Sequence, residues 1–242
     1  MRIIVVSATS VIARSCLETW ANSGSHDFVL VGRSIEKLES TAKDLSIRFP
    51  KSTFSVSLLN FASASSAQQL ANQLARQPID IVLVAQGSLT DQSLASTDLE
   101  YLKSELELNA VSAAVVAEAF AAVLERQGNG TLGVIGSVAG DRGRAYNYSY
   151  GASKALLETY VQGLQQRFAN SKVQVSLIKP GPTATPMTVT HSGKMADPKV
   201  VAKSIVSGLS SGRRIIYAPG IWRLIMFVVR SIPFTIFKRL KF

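Results

Sequence analysis

Tyr150 and Lys154, in the run Tyr150-Gly151-Ala152-Ser153-Lys154, stand four residues apart. On a helix that spacing puts both side chains on one face, within reach of each other. A free tyrosine holds its proton up to about pH 10. A neighbouring ammonium favours the phenolate, because it offsets the charge that develops as the proton leaves. Such a pair can exchange a proton with an oxygen near neutral pH. An ordinary helix surface would also carry a Tyr and a Lys at this spacing, so the surrounding elements decide between the two readings.

Those elements bring further polar groups. Ser137 follows the apolar run Thr131-Leu132-Gly133-Val134-Ile135-Gly136, which reads as a buried strand, and lies thirteen residues before Tyr150. A hydroxyl at a strand end can hold a carbonyl oxygen while Tyr150 exchanges its proton. Asn109 sits among Leu108, Ala110 and Val111 in a long helical pattern, so its amide should be buried and must find partners. The run Pro180-Gly181-Pro182-Thr183-Ala184-Thr185 follows another apolar stretch, residues 173–178. Along the chain such stretches alternate with helical patterns, the signature of a parallel sheet covered on both faces. Strands are predicted near 2–7, 28–32, 53–57, 80–85, 131–136, 172–178 and 214–217. Helices are predicted near 11–22, 34–47, 63–75, 98–126, 147–169 and 197–210. The expectation is an α/β fold, a Rossmann-type doubly wound sheet of seven parallel strands flanked by helices. Its ligands bind at the carboxyl ends of the strands, where the groups above all fall.

Asn109, Ser137, Tyr150 with Lys154, and Pro180-Gly181 with Thr185, in that order, resemble the classical short-chain dehydrogenase/reductase family. The resemblance covers about residues 1–217. It implies hydride transfer between a nicotinamide and a carbonyl or alcohol carbon. It makes Tyr150 the general acid in reduction, and Lys154 the group that lowers the Tyr pKa and holds the nicotinamide ribose. Ser137 positions the substrate oxygen, and Asn109 fixes a water in a proton relay behind Lys154. Pro180, Gly181, Thr183 (through its backbone) and Thr185 (through its hydroxyl) hold the nicotinamide carboxamide. A lid is expected over residues 186–197.

The first strand-to-helix turn departs from the family. Ser7, Val11 and Ala13 stand where three glycines are usual. Glycine tolerates positive φ and close backbone approach, which these residues do less well. Either the turn is reshaped or a pyrophosphate sits farther out. Ser7, Thr9, Ser10 and Ile12 are the expected cofactor contacts there, with hydroxyl donors compensating in part. The second strand ends in Gly32-Arg33-Ser34 with no acidic residue. An acid would bind a ribose 2′-hydroxyl and repel a 2′-phosphate, whereas arginine pairs with phosphate. NADPH is therefore the preferred cofactor, with NADH possible. The adenine is expected near Leu58, where a common family acid is absent. Ala85-Gln86-Gly87 replaces the family's Asn-Ala-Gly, so Ala85 and Gly87 pass beside the adenine ribose.

Lys and Arg total 26 against 16 Asp and Glu, and no acidic residue follows Asp197. The excess positive charge therefore gathers in the last fifth of the chain and calls for an anionic partner. A single cysteine, Cys16, excludes an intramolecular disulfide and suits a reducing cytoplasm. No signal peptide is expected, and no metal cluster: His26 reads as a surface residue, and so does His191. Residues 218–242 read as a basic amphipathic tail beyond a 1–217 dinucleotide-binding domain. Arg223 and Arg230 share one helical face, Pro233 ends that helix, and the stretch is too short to span a bilayer. It suits the interface of the cytoplasmic membrane face, or packing on a partner subunit in a homo-oligomer. Nucleic acid is not an expected partner, because the cations alternate with large aliphatics. The loop Gly140-Asp141-Arg142-Gly143-Arg144 places arginines beside aromatic and amide groups. They suit a sugar or phosphate, or form an incidentally charged surface loop. Within the family, this loop, the tail and the serine-for-glycine turn look like the decaprenylphosphoryl 2-keto-ribose reductases. Those enzymes work with a flavin oxidase partner on a lipid-linked sugar. The sequence thus predicts a ketoreductase of a lipid-linked keto-sugar. The alternatives are a reductase of a free lipid or acyl ketone, and a non-catalytic scaffold with impaired cofactor binding.

Overall fold

The computed structural model describes residues 1–188 and 193–240. Of the expected lid, residues 189–192, including His191, lie outside the described residues.

Strand β1 (Arg2–Val6) and strand β2 (Asp27–Gly32) flank helix α1 (Val11–Ser23) in sequence. Helix α2 (Ile35–Arg48), strand β3 (Thr53–Leu58), helix α3 (Ala64–Leu74) and strand β4 (Ile81–Val84) follow. All strands pair in parallel, in the order β3-β2-β1-β4, continuing through β5 (Asn129–Ile135), β6 (Lys172–Pro180) and β7 (Ile215–Ala218). The order reverses between β1 and β4, which opens a crevice at their carboxyl ends. The central strands β1, β2 and β4 are nearly continuous buried aliphatics, as a sheet covered on both faces requires. Edge strand β3 is only partly buried.

Two apolar cores lie on opposite faces of the sheet. One is built on α1 and α2 around Trp20, Phe28 and Leu45, and is closed by helix α8 (Pro198–Ser210). The other includes α3, Phe120 and Leu124. Helix starts are set by side-chain caps. Ser10, Ser34 and Ser63 accept from the first turns of α1, α2 and α3, and Asp197 does so ahead of Pro198 in α8.

The predicted single helix over 98–126 is instead three pieces. A short helix α4 (Gln92–Ala95), which the periodicity did not announce, precedes α5 (Leu99–Leu106). A π-helical turn, Glu107–Val111, then leads into α6 (Ser112–Gln127). One extra residue per turn is invisible to an apolar period of 3.6, and such turns gather at functional sites. This one carries Asn109. Taken together, Leu99–Gln127 is long and apolar enough to cross a membrane by length and composition, but half of its most apolar window is buried here. It lies over the sheet as a core helix. Helix α7 (Tyr148–Arg167) carries Tyr150 and Lys154. The tail forms α9 (Trp222–Ser231) and α10 (Phe234–Phe237), and the chain breaks between them at Pro233. His26, expected at the surface, is half-buried because its ring stands edge-on against Phe28. Cys16 is buried on α1, and burial pushes its thiol pKa up.

Candidate active site

Tyr150 lies in the first turn of α7 and Lys154 one turn on. Lys154 is 3% exposed, and burial lowers its pKa to about 8. Its ammonium donates to the Ile135 carbonyl at 3.3 Å and sits 5.7 Å from the Tyr150 ring centroid. Ser137 leaves the end of β5 in extended conformation. Its Oγ accepts from Ala139 N at 3.1 Å and so starts a 3-10 turn, Val138–Asp141. That turn presses on α7 without intervening side chains. A Cβ at Gly151 would lie 2.9 Å from the Ala139 carbonyl, and one at Gly140 would lie 2.9 Å from the Lys154 backbone. These two glycines bring Ser137 to Tyr150. Burial pushes the Tyr150 phenol up, while hydrogen bonding from Ser137 opposes this. The sequence led to the opposite direction, a Tyr pKa lowered by Lys154. In the protein alone desolvation is the stronger effect, and the phenol keeps its proton at neutral pH.

Asn109 is fully buried behind Lys154. Its Oδ1 accepts from Ser88 N at 2.8 Å, and its Nδ2 donates to Ser88 Oγ and to Glu105 Oε2, both at 3.3 Å. Glu105 also accepts from Ser88 Oγ at 2.7 Å and from Thr90 Oγ1 at 2.9 Å. Gly87 packs into this cluster with φ 149°, and a Cβ there would lie 2.8 Å from Asn109 Oδ1 and 3.1 Å from Lys154 Nζ. Ser88, Thr90 and Glu105 were missed in the sequence. The only signal for Glu105 was its place one helical turn before Asn109.

In the first turn a serine adopts backbone geometry that glycine takes more readily. Ser7 sits at φ 60°, the sole non-glycine with positive φ among the described residues. The N-terminus of α1 opens on the crevice through Thr9, Ser10 and Ile12. Thr9, Ser10 and Ile12 line one end of a cleft of about 390 Å³, which runs past Ala85 and Gly87 to Ser137, Tyr150 and Lys154. Pro180, Gly181, Thr183 and Thr185 line its far wall. Thr183 is buried and donates to the Gly181 carbonyl at 2.9 Å. Thr188, also missed, holds this wall through Oγ1, which lies 2.5 Å from the Thr183 carbonyl and accepts from Thr185 N at 3.1 Å. Ser7, Asn109, Arg33 and Leu58 stand outside the cleft lining. Asn109 is behind it, while Arg33 and Leu58 are exposed side by side where β2 and β3 end.

The two loop arginines part company: Arg144 lines the cleft beside Tyr146 and Asn147, while Arg142 is turned to the tail. Arg142 donates to carbonyls at the end of α9, and Arg144 contacts Met226 on α9. The tail takes the Arg142 charge, while the Arg144 side chain remains in the cleft wall. The remaining cleft wall includes Leu89, Val138, Tyr146 and Pro182. A helix N-terminus at one end and the Tyr150–Lys154–Ser137 group at the other give the cleft room for an extended dinucleotide.

Residues 1–196 match the family described as short chain dehydrogenase. An uncharacterised oxidoreductase of Streptomyces coelicolor is 30% identical over 240 residues, 98% of this chain and 95% of that one. A short-chain dehydrogenase from Sphingobium yanoikuyae, solved in complex with NADPH, superposes with a TM-score of 0.82 at 20% identity, covering 99% of this chain and 96% of that one. One from Burkholderia cenocepacia, in complex with NADP, gives 0.78 at 18% identity over 96% and 98%.

Proposed function

The chain belongs to the short-chain dehydrogenase/reductase family and is an oxidoreductase, and from that premise we propose that it is an NADPH-dependent ketoreductase of an apolar, lipid-linked ketone. The observation that carries this reading is the single cleft joining the α1 N-terminus to Ser137, Tyr150 and Lys154. The NADPH and NADP bound in the two structural neighbours support the choice of cofactor. Arg33, exposed at the end of β2, would meet a 2′-phosphate.

NADPH would supply the hydride to the carbonyl carbon. The chain does the rest. Ser137 holds the substrate oxygen against Tyr150, and Tyr150 gives that oxygen its phenolic proton. Lys154, charged below about pH 8, offsets the phenolate left behind and holds the ribose hydroxyls. Asn109, pinned by Ser88 and Glu105, keeps a water in place behind Lys154 for reprotonation. Thr183 and Thr185 orient the carboxamide.

The apolar wall beside Tyr150 and the apolar tail face favour a lipid-linked ketone met at the cytoplasmic membrane surface. A polyprenyl-phosphate keto-sugar, made by a flavin oxidase partner, is the instance raised by the subgroup resemblance. Exposed Val111, Leu156 and Tyr160 on the α6–α7 side offer a homo-oligomer contact. Titration by nicotinamide fluorescence, followed by assay on lipid and water-soluble ketones, tests the reading. NADPH is expected to bind at least about tenfold tighter than NADH, with Arg33→Ala removing that preference. Tyr150→Phe is expected to lower kcat at least about a hundredfold with NADPH binding intact. Failure to bind either cofactor would leave a scaffold that kept the fold.

A further inference from the structure

We infer that tail helix α9 backs the active-site wall, with Trp222 and Arg142 as positioning residues that couple it to the two sides of the cleft. The first coupling is at Gly181. A Cβ there would lie 1.9 Å from Trp222 Nε1 and 2.2 Å from Cε2, so the indole lies flush on the backbone of the Pro180–Thr185 wall. Gly181 N also donates to the Ala218 carbonyl at 3.1 Å, which ties the same turn to the root of the tail.

The second coupling is at Arg142, immediately after the Ser137 turn. Its Nη1 donates to the carbonyls of Val229 at 2.5 Å and Ile232 at 2.6 Å, and its guanidinium lies 3.7 Å from the Phe237 ring centroid. The last carbonyls of a helix lack intrahelical donors and form the negative end of its dipole, so a cation there caps α9. Met226, on the same helix, is fully buried, with its sulfur 3.6 Å from Arg144 Nη2.

Beneath the tail is a rigid ionic frame. Lys179, 1% exposed, pairs with Asp141 and with Glu158, the latter at 2.6 Å. Tyr217 donates to Asp141 Oδ2 at 3.4 Å. Lys179 directly precedes Pro180, Asp141 directly precedes Arg142, and Glu158 is one turn beyond Lys154 on α7. The frame joins the Ser137 turn, the proton-exchange helix and the nicotinamide-side wall. Breaking a buried charge pair is expensive, so these three segments move together and α9 bears on all of them. The meaning of "active site" here rests on the reductase reading, but the coupling itself does not.

The test uses full-length Trp222→Ala, Arg142→Ala and Arg142→Lys, with amide hydrogen exchange of the unliganded protein as the readout that is independent of activity. Arg142→Ala is expected to speed exchange in residues 137–144 about tenfold and lower kcat by a similar factor, with the NADPH Kd within about twofold of wild type. Arg142→Lys, which keeps a donor for the carbonyls, should recover part of both losses. Trp222→Ala is expected to speed exchange in residues 180–185 and raise the NADPH Kd about tenfold. A general loss of stability would move both parameters in both variants. Such joint movement, or wild-type exchange in 137–144 and 180–185 while the tail itself exchanges faster, would overturn the coupling. Should Arg142→Ala fail to fold, Phe237→Ala removes the ring that stacks on Arg142 and is read the same way. Should wild type bind no NADPH, the reductase reading fails while the exchange data still decide the coupling.

Discussion

At the residue scale the most consequential group is Lys154, an ammonium 3% exposed with one carbonyl partner and a pKa lowered to about 8. The unfolded chain holds this proton up to about pH 10.5, the folded chain only to about pH 8. The unfolded state therefore binds more protons between those values, and stability rises with pH across that window. Below pH 8 the folded protein carries the full cost of a buried charge. Between pH 7 and pH 10 the wild type is thus expected to gain about 2–3 kcal/mol of stability relative to Lys154→Met, read from urea midpoints at the two values. Parallel shifts of both proteins would mean that Lys154 is not perturbed. The same burial that costs stability keeps Tyr150 protonated at neutral pH, the state a proton donor needs. Site and stability therefore oppose each other at the pair from which the sequence reading began.

At the element scale the first turn shows how a fold absorbs a local mismatch. Ser7 takes φ 60°, a left-handed conformation that costs an L-residue about 1–2 kcal/mol. β1 enters the turn fully buried, Ala8 N donates to the Val31 carbonyl, and Ser10 caps α1. These contacts over-determine the backbone and hold the strained residue in place. Ser7→Gly is expected to stabilise the protein by about 1 kcal/mol and to leave NADPH binding equal or tighter, measured by thermal unfolding and titration. A loss of stability would show that the Ser7 hydroxyl makes a contribution larger than its strain. The three positions that depart from glycine were legible in the sequence, but their outcome was not. Residue type gives the cost of a conformation, while the surrounding contacts decide whether it is borne. The same distinction runs through the rest. Strands were legible as continuous apolar runs, because both faces of the sheet are buried, most helices by a period of 3.6, and Tyr150 with Lys154 because helical spacing is regular. The π-turn under Asn109 breaks that period, so Glu105 and Ser88 stayed hidden. Arg142 was misread because a long-range partner, the end of α9, lies more than eighty residues away. Local pattern does not encode such distances.

At the scale of the whole molecule the tail has two faces with opposite duties. Its inner face, Trp222 and Met226, is spent on the core. Its outer face leaves Leu224 62%, Phe227 71% and Phe234 73% exposed. Arg223, Arg230, Lys238 and Arg239 are exposed around them. A large apolar surface rimmed by cations marks an interaction site, and the pairing of bulky aliphatics with arginines suits an anionic lipid interface. Each cation near such a surface contributes about 1 kcal/mol, and this part is screened by salt. The protein is therefore expected to sediment with vesicles containing phosphatidylglycerol, to do so more weakly with phosphatidylcholine alone, and to lose affinity as salt rises. Leu224→Ser with Phe227→Ser, on the outer face only, should lower vesicle affinity more than about tenfold while leaving the NADPH Kd unchanged, since each buried CH₂ contributes about 0.8 kcal/mol. Absence of vesicle binding in the wild type, together with loss of self-association in the double variant, would reassign the face to a partner subunit. In either case the inner contacts have a consequence for the outer ones. Because Trp222 rests on Gly181 and Arg142 on the end of α9, whatever covers the tail also covers the back of the site. On the proposed reading, a lipid-borne ketone would then be presented beside the cleft.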